Sequence, residues 1–186
     1  MPRYTLRVTL FPNPPLGFEP ETDVWRDIEV DGSHTLTELH RAIFEAFERL
    51  DMHAYEFFLR DSHGIAMQRY VPPQLYEGSQ SWAPMDDAEI DRFLDREIPN
   101  TEPKEAKDRF RSRRKNPPEE GNAAETTFDD MGLTKSHSLF YEFDFRDSWE
   151  HLIEIQEHSK RTLDSDPVVV AKQGEAPPQY PRRSAE

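Results

Sequence analysis

The sequence predicts an α+β domain, a mixed or antiparallel sheet with one main helix packed on a face. Three observations carry this. Apolar residues alternate at period two over Tyr4–Phe11, Val24–Val30 and Ala54–Arg60, the pattern of strands with one buried face. A single well-marked helical repeat lies between the second and third of these. Phe140–His151 then alternates again, breaks at a short polar turn and resumes, as a hairpin does. The resulting order is β-β-α-β followed by β-β, compatible with a β-grasp-like arrangement, although sequence leaves strand order open.

In the first strand Leu6, Val8 and Leu10 share one face and Thr5, Arg7 and Thr9 the other; the Pro-rich stretch 12–20 ends it. Val24, Ile28 and Val30 are in phase in the second, and Asp31-Gly32-Ser33 is a turn. Thr35-Leu36-Thr37-Glu38 then spells a capping box, in which hydroxyl and carboxylate each satisfy an orphan amide. Leu36, Leu39, Ile43, Phe47 and Leu50 follow at helical spacing, with His40 and Phe44 beside the stripe. Tyr55, Phe57 and Leu59 are in phase in the third strand. Asp86–Ile98 is predicted as a short helix capped by Asp86 or Asp87, burying Ile90, Phe93, Leu94 and Ile98. Residues 100–125, polar and charged, are expected to be an exposed, flexible loop. Ser138–Phe145 and Trp149–Glu157 form the predicted hairpin, with Tyr141, Phe143 and Phe145 on one face. Pro167–Ala171 is a short edge strand. The chain reads as one domain over residues 1–175 with an insertion at about 61–125, and a Pro-rich, extended tail over 176–186.

Composition narrows the function classes. The formal charge is −14 over 186 residues, a surface that repels phosphate backbones, so nucleic acid is not expected to bind the domain as a whole. The absence of cysteine excludes disulfides, zinc–thiolate sites and a cysteine nucleophile. No apolar run approaches membrane-spanning length, and the expected setting is cytoplasmic, without membrane contact. No Gly-rich phosphate loop, Gly-x-Ser-x-Gly elbow or His-Glu-x-x-His helix occurs.

The candidate ligand-binding residues are His40, His53, Glu56, Asp144, Asp147, Trp149 and His151. Carboxylates and imidazoles are also metal ligands, so His40, Asp144, Asp147 and His151 are the candidates for a metal, and for the acid–base groups of a hydrolytic alternative. Each has a structural reading beside the functional one. His40 suits a core-edge histidine bonded to a carbonyl, Asp147 a turn cap, and Trp149 a packing anchor with its N–H satisfied nearby. A basic island that includes Lys107, Arg109, Arg111, Arg113, Arg114 and Lys115 could contact nucleic acid; as a charge run it more simply folds back on the chain's own acidic surface.

Tyr141, Phe143, Asp144, Phe145, Asp147, Trp149 and His151 together resemble the Tyr-x-Tyr-Asp-Phe-Gly-Asp-x-Trp-x-His motif of the plasmid pRiA-type ORF-three-like family. Trp25-Arg26, Thr35-Leu36, Leu39-His40, Ala46-Phe47 and His53, Tyr55, Glu56 and Phe57 resemble its upstream segments in the same order, and Pro167-Val168-Val169 with Pro177-Pro178 its C-terminal one. Arg146 stands where the motif has Gly, and Ala176-Pro177-Pro178-Gln179-Tyr180 where the family ends Cys-Pro-Pro-Glu-Asp, so the acids of that ending are absent. The resemblance implies a fold, an association with plasmids and insertion elements, and a binding or interaction module without an established reaction. The expected partner is an unknown protein or small polar ligand, and the sequence points to no particular cofactor.

Overall fold

The computed structural model describes residues 2–60, 66–76, 84–97, 107–108, 111, 114–115, 117–159 and 165–181. Among the described residues eight strands form one sheet: β1 (Arg3–Leu10), β2 (Val24–Asp31), β3 (Tyr55–Arg60), β4 (Ala66–Val71), β5 (Glu119–Asn122), β6 (Ser138–Phe143), β7 (Trp149–Ser159) and β8 (Val168–Gln173). Their order is β5-β4-β3-β6-β7-β1-β2-β8, so the hairpin β6–β7 lies between the third strand and the first. Every pairing is antiparallel except β4 with β5, which makes the sheet mixed, as the sequence predicts.

The main helix, α1 (Leu36–Ala46), starts as its capping box dictates: the Thr35 hydroxyl accepts from the Glu38 amide, and the Glu38 carboxylate accepts from the Thr35 amide. Its buried Leu36, Leu39 and Ile43 join Phe47 against Tyr4, Leu6, Val8 and Leu10 of β1, Ile28 and Val30 of β2, and Leu139, Tyr141 and Phe143 of β6 in one core cluster, and His40 is buried on the same helix. Side chains buried this fully contribute about 1.5–3 kcal/mol each through the hydrophobic effect. The helix stops before the end of its apolar stripe. Glu48 takes a left-handed backbone (φ 54°), and Leu50, expected on that stripe, is exposed.

Residues 61–125 depart most from expectation. β4 and β5 are sheet strands there, with the short helix α2 (Pro73–Tyr76) and α3 (Asp87–Glu97) between them in sequence. The loop expected over 100–125 is therefore corrected at its C-terminal end. The Ala123 amide donates to the Val71 carbonyl, its carbonyl accepts from Thr37, and the residue is wholly buried. Polar backbone, held by hydrogen bonds, does here what an apolar pattern does elsewhere. α3 begins one residue after its predicted cap, Asp86, whose carboxylate accepts from the Glu89 amide; Ile90 and Leu94 are buried and Phe93 half-buried, while Ile98 lies outside the described residues. The last helix, α4 (Phe128–Met131), has its own capping box from Thr127 and Asp130, and buries Phe128. Gly32 fits beside it because a Cβ there would lie 2.0 Å from the Asp129 carboxylate.

At the C-terminus, β8 is the predicted edge strand, and its six residues are exposed. The segment beyond it is extended yet docked, with Gln179 almost completely buried. Among the described residues no helix is long and apolar enough to cross a membrane.

Candidate functional site

The β6–β7 turn is built around a left-handed aspartate. Asp144 (φ 60°) leaves the strand, its carbonyl accepts from the Asp147 and Ser148 amides, and its carboxylate accepts from the Arg146 amide. Ser148 is left-handed as well (φ 48°), whereas Arg146, at the motif's Gly position, is not, so the lack of Gly there causes no backbone strain. Asp144 rather than Asp147 therefore caps the turn. Asp147 contributes its carbonyl, which accepts from the Asn13 side chain. The strand alternation breaks at Asp144, so Phe145 points outward and is exposed, contrary to its expected place with Tyr141 and Phe143.

Behind the turn lies a buried polar cluster. His40 from α1 stacks on Tyr55 with ring centroids 3.7 Å apart, and its Nδ1 lies 2.7 Å from the Tyr141 hydroxyl. Tyr141 also faces His151 across the hairpin, at 5.2 Å between rings. His151 Nδ1 lies 3.1 Å from the Trp149 carbonyl. The bonding partner of His40 is thus a side-chain hydroxyl and not the backbone carbonyl expected. Burial holds both imidazoles neutral: desolvation pushes His40 down to about 4 and His151, with the Arg49 charge adding to the effect, to about 3. Burial likewise raises the Tyr141 hydroxyl well above its ordinary value.

Arg49 closes this cluster and carried no motif signal in the sequence. It follows the left-handed Glu48, is 6% exposed, and lays its guanidinium 4.3 Å from the centre of the Trp149 ring. Desolvation lowers it to about 10, against the stabilising fields of Tyr141 and Asp144. Among the described residues its one hydrogen bond is a long one, 3.4 Å to the Pro177 carbonyl. Arg49 Nε and Nη2, Trp149 Nε1, His151 Nε2 and His40 Nε2 are all buried and have no hydrogen-bond partner among the described residues. The Trp149 N–H is thus not satisfied locally, although the ring is fully buried against Phe18 and Arg49.

The outer edge of the site is a strap, residues 174–181. Gln179 accepts from the Leu50 and Asp51 amides and donates to the Asp51 carbonyl, and the Tyr180 hydroxyl donates to the Asp51 carboxylate. His53 lies 2.9 Å from that hydroxyl and 3.5 Å from the Asp144 carboxylate, joining strap to turn.

His40, His53, Asp144, Trp149 and His151 therefore gather at one end of the domain. Glu56 does not join them: it pairs with Arg69, which also holds Glu120. Among the described residues no three His, Asp or Glu side chains are grouped as a metal ion requires. The described part of the basic island turns to the chain's own acids: Arg111 pairs with Asp91 and Asp87, and Lys115 with Asp87. Lys107 and Arg114 are half-buried, and Arg109 and Arg113 lie outside the described residues.

The profile of the plasmid pRiA4b ORF-3-like proteins matches residues 4–180, nearly the whole chain. The chain belongs to the plasmid pRiA4b ORF-3-like family. No curated protein matches it. A solved structure, the protein of unknown function MM3350 from Methanosarcina mazei Go1, is similar in fold, with a TM-score of 0.60 at 16% identity over 96% of this chain and 73% of that one. Its likeness extends the α+β fold of this family member and carries no activity with it. The Trp-Arg of the family pattern is structural here: Arg26 donates to the carbonyls of Ala46, Trp25, Gln173 and Gly174. The hairpin motif, in contrast, supplies Tyr141, Asp144, Trp149 and His151 to the cluster around Arg49.

Proposed function

We propose that this member of the family is a binding module whose site is the polar cluster of His40, Arg49, Tyr141, Trp149 and His151 behind the hairpin turn, bordered by His53, Asp144 and the strap. The ligand is a small polar molecule. One observation carries the reading: five buried nitrogen atoms on four neighbouring side chains lack a partner. Buried polar groups are nearly always hydrogen-bonded, and each one left unmade costs about 1–3 kcal/mol. A cluster of them is expected where a ligand supplies the missing partners, as at binding sites that hold a few convergent polar groups in apolar walls. Here the walls are Phe47, Tyr55, Phe143 and the Trp149 ring.

The test is a screen of small polar molecules by 15N–1H NMR on the full chain. Ligands are expected to shift the Trp149 indole N–H and the amides of 144–151 in a saturable way, and the Trp149→Phe variant identifies the indole signal. A screen whose binders all shift resonances elsewhere, or that leaves this turn unmoved, would sink the proposal.

A further inference from the structure

The chemistry of the unpartnered atoms specifies the ligand further, and this step rests on the binding site proposed above. Arg49 Nε, Arg49 Nη2 and Trp149 Nε1 can only donate. His151 Nδ1 faces the Trp149 carbonyl and so carries the proton, which leaves Nε2 of the neutral ring as an acceptor. A guanidinium buried this deeply ordinarily faces a carboxylate, because an uncompensated buried charge is expensive. Among the described residues Arg49 has none in ion-pair contact. Asp144 is the acid whose field reaches it, yet the Asp144 carboxylate is engaged by the Arg146 amide and by His53. A ligand that completes this set brings negative oxygens to Arg49 and Trp149 and an O–H to His151.

We propose that the site takes a small oxyanion bearing one hydroxyl, of the hydrogen phosphate or hydroxy-carboxylate class, with Arg49 as its anchor. The planar fork of Arg49 suits two such oxygens at once, and its place over the Trp149 ring fixes its plane. The acidic surface does not forbid this: the charge of −14 is spread over the chain, and its more distant parts are screened over about 8 Å at physiological salt, while Arg49 acts at contact. The strap borders the site, since the Pro177 carbonyl accepts from Arg49 Nη1 and Gln179 pins the adjacent backbone.

The experiment titrates the full-length protein at constant ionic strength with inorganic phosphate, sulfate and glycerol near pH 7, reading the Trp149 indole N–H by NMR. Phosphate is expected to bind at least about tenfold more tightly than sulfate, which has no hydroxyl for His151, and Arg49→Gln to lose at least about tenfold in phosphate affinity. Arg49→Lys, which keeps the charge without the fork, is expected to fall between the two, and it serves should Arg49→Gln not fold. Glycerol binding equally to wild type and Arg49→Gln, with neither anion binding, would overturn the oxyanion while leaving a polar-ligand site. Sulfate binding as tightly as phosphate would overturn the hydroxyl requirement. An indole that no probe moves would overturn this inference, and the wider screen then decides the binding site itself.

Discussion

Arg26 shows how a single side chain can join three elements. Its guanidinium reaches the last carbonyl of α1, its neighbour in β2, and the carbonyls of Gln173, which ends β8, and of Gly174 just beyond it, and it stacks 4.9 Å from the centre of the Phe47 ring. Arg26→Met keeps much of the apolar stem and strands those carbonyls in a buried place. The expected loss is about 3 kcal/mol, read as a lower urea midpoint at unchanged slope. Arg26→Lys should recover little of it, because one ammonium cannot serve carbonyls that lie in different directions. A variant as stable as wild type would show that these bonds contribute nothing net. The same arithmetic applies on a smaller scale to Tyr141→Phe, which removes the partner of His40 Nδ1 and is expected to cost about 1–2 kcal/mol. A native-like urea midpoint in that variant would mean that the His40–Tyr141 bond is energetically idle.

Among the elements, the strap is held chiefly by one amide side chain. Gln179 forms with residues 50 and 51 the pattern that a paired strand would, accepting on one atom and donating from the other. Gln179→Ala should therefore open this segment locally, and hydrogen exchange at the Leu50 and Asp51 amides is expected to quicken by about tenfold or more while core amides stay protected. Gln179→Glu, the residue type of the family's ending, keeps the acceptor and loses the donor to the Asp51 carbonyl, so it should lie between. Unchanged exchange in Gln179→Ala would mean that the strap is held by Tyr180 and the prolines instead. Gly174 sets the strap's departure: its φ of 73° and the 2.8 Å approach of a Cβ to Val24 leave no comfortable alternative there. None of this was legible in a Pro-rich ending, because a Gln clamp acts on backbone and has no periodic signature. β4 and β5 were illegible for related reasons. In β4, Arg69, Tyr70 and Val71 are buried in succession, since Glu56 and Glu120 neutralise Arg69 and remove the alternation. β5, Glu-Glu-Gly-Asn, has no strand pattern at all; it forms because Gly121 lets the Tyr70 ring lie against the backbone, where a Cβ would come within 2.7 Å. The capping box, the α1 stripe and the 138–159 hairpin were legible because each is local.

For the molecule as a whole, most of the candidate site was visible in sequence: the turn aspartate, His40, Trp149 and His151 sit inside motifs, whereas Arg49 is placed by a chain reversal that only the folded backbone reveals. What the assembled core does have is an acid liability. His40 and His151 are held neutral, near 4 and 3, whereas an unfolded histidine titrates near 6.5. Between those values the unfolded chain binds more protons, so stability is full above about pH 7 and declines as pH falls through 6.5, until the folded values are reached. From pH 7 to pH 5 each imidazole accounts for roughly 2 kcal/mol, and the pair for roughly 4 kcal/mol, a large part of a typical stability of 5–15 kcal/mol. The net charge of −14 works the other way, because protonating carboxylates relieves self-repulsion, but that occurs mainly below about pH 5. Urea denaturation across pH 5–7 should therefore show wild type weakening steadily towards acid. The double variant His40→Gln/His151→Gln starts less stable at pH 7 and should be nearly flat over the same interval. If it weakens as steeply as wild type, the acid sensitivity belongs to other groups and the two buried imidazoles are not its source.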